Sequence, residues 1–159
     1  MFEKPQSEHA WLEQLVGRWI SEGECFMGPD QEPQKNSGRM NCRSLGGLWL
    51  IGEGEGDGNS PEEKWSSIIT LGYDIKQQRY VGTFVASMMT HLWLYKGVLD
   101  ASGKKLPLDS EGPRFDGNGT TQYRDTIEIV DQDHWIFSGE VLTDDGSWQT
   151  IMTSHNRRE

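Results

Sequence analysis

The chain is poor in the features that give a function away most quickly. Only two of its 159 residues are cysteine, Cys25 and Cys42, and they do not form a Cys-X-X-Cys pair. That spacing excludes a zinc-ribbon or thioredoxin-like motif. No apolar segment of signal-peptide type opens the chain, and no apolar run is long enough to cross a bilayer. A cytoplasmic location with reduced thiols is the expectation. The two cysteines fall on the first two expected strands, so a redox pair stays an open alternative.

Positive charge is also scarce. Fifteen Lys and Arg stand against 25 Asp and Glu, for a formal charge of −10. A nucleic-acid backbone or an anionic membrane surface as partner needs a basic footprint, which is missing. The basic pair Arg157-Arg158 is too short for such a tail. The acidity reads as a solvated surface.

Catalytic signatures are missing as well. The four histidines, His9, His91, His134 and His155, show no His-X-His or His-Glu-X-X-His spacing, so no metal site is expected. No Gly-X-Ser-X-Gly elbow is present. The run GEGEGDG lacks the lysine and following helix of a phosphate loop, and its carboxylates would repel phosphate. It reads as a turn, as does DGNG, which has no downstream Glu to complete a calcium loop.

What the chain does have is 19 Gly, six Pro and seven Trp. So many indoles in a chain 25% charged mark a folded domain, and the length fits a single domain over residues 1–159. SEHAWLEQL carries Trp11, Leu12, Leu15 and Val16 at helical spacing, with Ser7 as N-cap and Gly17 as stop. After Gly17 the period changes to two. RWISEGECFM, SGRMNCRSLGG, LWLIGEGEG, WSSIITLGYD, RYVGTFVAS, THLWLYKGVLD, KLPLDSEGP, TQYRDTIEIVD, HWIFSGEVL and SWQTIMTSHNR read as strands joined by short turns. Gly46-Gly47, IKQQ, FDGNG and TDDG are among those turns. About ten consecutive strands predict an all-β, up-and-down antiparallel barrel, with the short N-terminal helix capping one end.

Gly17-Arg18-Trp19 sits where helix meets first strand. Glycine permits the sharp turn, the indole can fill the barrel floor, and an arginine could lie on it in a cation–π contact worth roughly 0.5–2 kcal/mol. This layout resembles the calycin superfamily of lipocalins, fatty-acid-binding proteins and nitrobindin-like barrels. There a Gly-X-Trp opens the first strand and a late basic residue packs on the Trp. The resemblance implies Gly17, Trp19 and Arg157 as the barrel closure. More closely, LVGRWISEGE, LGGLWLIGEGEGD, TLGYDIKQQRYVGTFV, MMTHLWLYKGVLD and EGPRFDGNGTTQYRDTIEIVDQDHWIFSGEV resemble the bacterial family called DUF1579. That implies a lipocalin-like barrel and brings no established activity. The family commonly carries an aromatic residue two places before the terminal Arg. Here that place is His155, so no catalytic role carries over to it.

Strand parity decides which residues share a face. His91, Trp93 and Tyr95 fall together, and in the later strand Gln122 and Arg124 oppose Tyr123 and Asp125. We expect His91, Trp93 and Tyr95 in a ligand cavity, joined by Arg124 and by Tyr123 or Gln122. Arg124 would anchor a carboxylate by a bidentate contact, against the alternative of a surface pair with Asp125 or Glu128. The first function to consider is binding of a small apolar or amphipathic molecule in the barrel interior, with no cofactor. A second is an enzyme using that cavity, with His91 as general base and Arg124 or a Tyr as electrostatic partner. A third is a structural or interaction barrel filled by side chains. Haem held axially by His155 is an alternative by analogy with nitrobindin-like barrels. Homodimerisation through exposed Trp or Met is a further expectation.

Overall fold

The computed structural model describes residues 1–159 except 27, 29, 59 and 61. One helix, α1 (Ser7–Glu13), precedes ten strands. These are β1 (Gly17–Cys25), β2 (Gln34–Leu45), β3 (Trp49–Asp57), β4 (Lys64–Asp74), β5 (Arg79–Ala86), β6 (Trp93–Gly97), β7 (Lys105–Pro113), β8 (Thr120–Asp131), β9 (His134–Leu142) and β10 (Trp148–Arg158). Every strand pairs antiparallel with its neighbours in sequence, and β1 pairs with β10, which closes the barrel. Closure removes the edges that a ten-strand meander would otherwise leave unpaired.

Three details differ from the sequence reading. Gln6, not Ser7, is the N-cap of α1; its backbone N–H donates to His9 Nδ1 at 2.9 Å. GEGEGDG is not a turn over most of its length, since residues 52–57 lie in β3. The sixth strand is only five residues long, Trp93–Gly97, so His91 precedes it rather than lying in it. One ladder pair, Lys96 with Asp109, joins β6 to β7, making this the thinnest seam of the wall.

Alternation puts one set of side chains inside. At the α1 end the interior is packed by Leu12, Leu15, Trp19, Leu50, Leu71, Tyr80, Leu106, Ile127 and Trp135, all nearly inaccessible. The helix is tied down by polar contacts as well. His9 Nδ1 accepts from Gln6, so its Nε2 carries the proton and donates to Tyr73 O at 3.1 Å. Tyr80 Oη donates to Glu8 O at 2.8 Å. Cys42 and Cys25 lie far apart along the β1–β2 ladder, opposite Gly17 and Gln34 on their respective partner strands. Both are free thiols, and burial pushes Cys42 up to about 12. On the outer wall, Ile68 pairs with Val85, and with Leu92 and Leu94 these form an exposed aliphatic stretch over β4–β6.

Candidate functional site in the barrel interior

The closed end shows what Gly-X-Trp does. Trp19 is 1% exposed and donates from Nε1 to Leu15 O at 2.9 Å. A guanidinium covers its ring at 4.2 Å, but it belongs to Arg158, not Arg157. The reason is parity. Arg158 pairs with Trp19 across β1 and β10 and shares the inward face with Asn156, whereas Arg157 pairs with Ile20 and faces out. Arg158 also donates to Val16 O at 3.1 Å and Gln132 O at 2.7 Å, and pairs with Asp133. Gly17 has φ +139°, and a Cβ there would lie 2.4 Å from Arg158 Nη1. Glycine at 17 therefore serves both the backbone turn and the seat of the arginine.

The other half of the barrel is built differently. Its inward positions are rich in glycine, and large rings lie over those glycines. A Cβ at Gly56 would come within 2.6 Å of the Trp65 indole, and one at Gly38 within 3.1 Å. A Cβ at Gly112 would come within 2.2 Å of the Trp93 indole. Trp65 therefore covers the β2–β3 wall, and Trp93 covers β7. In the strand order these walls stand four to five strands apart around a ring of ten, so they face one another. Glycine lets each indole sit close to the backbone instead of filling the lumen. Trp65, Met152 and Ser154 face inward and are half-buried, while Met40, Phe84 and Phe137 face inward and pack against the core.

An aromatic series runs along the Trp93 wall. His91 meets Trp93 edge-on at 4.6 Å, Trp93 meets Tyr123 at 4.8 Å, and Tyr123 meets Phe115 at 6.2 Å. Tyr123 Oη donates to Pro113 O, and Trp93 Nε1 to Met89 Sδ at 3.0 Å. His91 Nε2 lies 3.0 Å from the backbone oxygen of Glu111. Among the described residues, that hydrogen bond and the indole edge engage its ring, and neither comes from a titratable side chain.

Deeper in, Tyr95 Oη donates to Asp125 Oδ2. Tyr95 is 4% exposed, and burial together with the neighbouring carboxylate raises its phenol well above the usual tyrosine value. Burial also pushes the Asp125 carboxyl up to about 6, against the smaller lowering effect of the Tyr95 hydrogen bond. Ser110, 6% exposed, has an Oγ with no hydrogen-bond partner. Ser21 donates to Asn156 Oδ1, its cross-strand neighbour on β10.

Of the residues expected in a cavity, Trp93, Tyr95 and Tyr123 lie on the inward face of their strands, and His91 stands at the edge of Trp93. Arg124 does not join them. It lies on the outer wall, 3.1 Å from Asp109 and stacked on Trp148 at 4.3 Å, and Gln122 shares its outward parity. The outer-wall alternative holds for Arg124, but its carboxylate is Asp109, not Asp125 or Glu128. His155 also faces outward, and its Nδ1 lies 2.9 Å from His134 Nε2. An axial haem ligand in the lumen would need the other face of β10, so His155 does not fit that role. Among the described residues no three His, Cys, Asp or Glu side chains converge as for a metal ion.

Sequence reasoning missed Asp125, Ser110 and Trp65. The signal was present for the first two. Asp125 interrupts an apolar face made by Tyr123, Ile127 and Ile129, and Ser110 continues a face begun by Leu106 and Leu108. Grooves of about 600 to 720 Å³ are lined mainly by outward residues such as Arg39, Glu53 and Glu55, with the inward Gly38, Gly56 and Trp65 also lining one of them. Ser110 Oγ opens onto none of them.

Comparison with known proteins adds the family. The model of "Protein of unknown function (DUF1579)" matches residues 4–158, so the chain belongs to that family. A search of curated protein sequences finds no match. Among solved structures, the chain is similar to Rv2717c from M. tuberculosis, with TM-score 0.71 and 13% identity over 98% of this chain and 99% of that one. It is also similar to the S-type phycobiliprotein lyase CPES from Guillardia theta, with TM-score 0.64 and 14% identity over 98% of each chain. At these identities the likeness is one of fold.

Proposed function

We propose, on the premise that this DUF1579 protein is a closed calycin-like barrel, that it binds a small amphipathic molecule in the half of the barrel away from α1. The observation that carries this reading is the contrast inside one lumen. The α1 half is closed by tight packing. The other half lays Trp65 and Trp93 on glycine walls and leaves inward side chains accessible. Aromatic walls with a few polar groups are the usual lining of a small-molecule site. The lyase that shares the fold is named for work on a bilin-carrying protein, which agrees with a barrel of this shape handling an organic molecule.

The residues we assign to the site are Trp65, Trp93, Tyr95 and Tyr123, with His91 at the rim. An enzymatic use of the cavity with His91 as base has less support, because that ring is engaged by a backbone oxygen and an indole.

Native mass spectrometry of the freshly purified chain, followed by NMR titration with 2-naphthylmethanol, tests the proposal. Expected are a retained small molecule or, failing that, saturable amide shifts at Gly112, Tyr123 and Gly54 with little change in α1. A protein that retains nothing and shows no shifts, or shifts only on the outer wall, would refute interior binding.

A further inference from the structure

Inside the proposed half-barrel, the polar groups are not randomly spread. Extending the ladder from Lys96–Asp109 places Tyr95 opposite Ser110, and Ser110 pairs with Tyr123 on the other side. Asp125 follows two residues later on β8, between Leu108 of β7 and Gly139 of β9. Tyr95, Ser110 and Asp125 thus occupy adjacent inward positions on three successive strands.

The hydrogen-bond inventory of this group is incomplete. Tyr95 serves one oxygen of Asp125, and the described contacts give the other, Oδ1, no donor. Oδ1 instead points toward Gly139, where a Cβ would sit only 2.9 Å away. Ser110 Oγ is buried and unpartnered. A buried polar atom left without a partner is costly, and native proteins rarely keep one unless something else supplies the bond.

The charge balance points the same way. The basic residues on these strands face outward: Lys96 pairs across to Asp109, and Arg124 bonds Asp109 outside the wall. Among the described residues, no cation on these strands therefore faces Asp125 from within. A carboxylate among rings and aliphatic side chains, with an unpartnered hydroxyl on the adjoining strand, is complementary to a donor and hostile to another anion.

We propose that Asp125 and Ser110, with Tyr95 holding the carboxylate in place, form a polar anchor for a nitrogen-centred donor, and that the molecule bound here is a small aromatic or amphipathic amine. The ammonium donates to the Asp125 carboxylate, with Ser110 Oγ as a further acceptor from β7, and its apolar body lies between the Trp65 and Trp93 walls, where an indole face also favours a cation. This inference rests on interior binding as proposed above and gives it a chemical class. It also reverses the specificity expected from the sequence, in which Arg124 would have selected a carboxylate.

Three probes of one shape test it: 2-naphthylmethylamine, 2-naphthylmethanol and 2-naphthoate, each titrated calorimetrically into the full chain at pH 7.5. The amine is expected to bind about tenfold or more tighter than the alcohol, with naphthoate weakest, as for a charge-assisted hydrogen bond. Asp125→Asn should remove about tenfold or more of the amine affinity and cut the amine-over-alcohol preference to within about threefold. Ser110→Ala should weaken the amine by about two- to fivefold. If the alcohol and naphthoate bind as well as the amine, or Asp125→Asn leaves the preference intact, the anchor is wrong and interior binding stands. If none of the three binds, both readings fall. Should Asp125→Asn fail to fold, the wild-type preference and Ser110→Ala decide the point.

Discussion

The two halves of this barrel are made by the same ten strands and handle their interiors in opposite ways. At the α1 end the large inward side chains are packed, and the polar hydrogens of Trp19, Tyr80 and His9 find backbone oxygens, although Trp135 Nε1 finds no partner. At the other end glycines take the inward positions, indoles lie along the wall, and Ser110 is left without a partner. The difference is one of side-chain size: tight packing marks the end at α1, and glycines with wall-lying indoles mark the end that we propose for binding. A barrel need not be hollow or filled throughout; residue size at alternate positions sets each end independently.

The largest expected effect would break the comparison if it failed. Trp19→Ala removes a fully buried indole and should cost about 3–5 kcal/mol in denaturant unfolding. Trp93→Ala, at a partly accessible ring, should cost about 1–2 kcal/mol and weaken 2-naphthylmethanol binding, which Trp19 substitutions that still fold should not. Equal costs at the two indoles would mean that both ends are core.

Asp125 gives the next effect. Its carboxyl is raised from 3.8 to about 6 in the folded state. The folded protein therefore holds this proton over a range where the unfolded chain has released it, and stability falls as pH rises from about 4 through about 6. Asp125→Asn should be more stable than wild type at pH 8 by on the order of 2 kcal/mol, with the gain vanishing near pH 4. Thermal melts across this range decide it. An unchanged pH profile would place Asp125 in water.

The arginine pair sharpens the account of the closed end. Arg158→Ala loses the cover of Trp19 and the bonds to Val16 and Gln132, and should cost about 1 kcal/mol. Arg157→Ala should stay within about 0.5 kcal/mol. A comparably small effect belongs to the outer wall. Arg124→Ala breaks a half-exposed pair with Asp109 and should change stability by less than about 1 kcal/mol, with no change in probe affinity. A large loss of binding in that variant would return Arg124 to the site.

Much of the fold was legible in the sequence because its signals are local. Period-two strands, short turns and the helix before Gly17 each depend on residues close in the chain, and β8, β9 and β10 lie almost where alternation puts them. The site was legible only in pieces. Trp93, Tyr95 and Tyr123 stand on inward faces, but His91 fell outside its strand because β6 is short. Arg124 was placed inside because charge and aromatic content do not say which face of a strand is inward. Trp65 went unnoticed because its role depends on Gly38, Gly54 and Gly56, which β2 and β3 bring beneath it. The acidic glycine run likewise reads as a turn until those rings are seen to need its missing side chains.

By itself the sequence determined that this chain alternates, turns often and carries a helix and an indole where a barrel begins, because each of these follows from backbone preferences over a few residues. Only the tertiary structure decided which face turned inward, which of two adjacent arginines covers Trp19, and that Asp125 rather than Arg124 faces the lumen. A period-two pattern is unchanged when its faces are exchanged, and the closure of β1 on β10, which breaks that symmetry, joins residues nearly the whole chain apart.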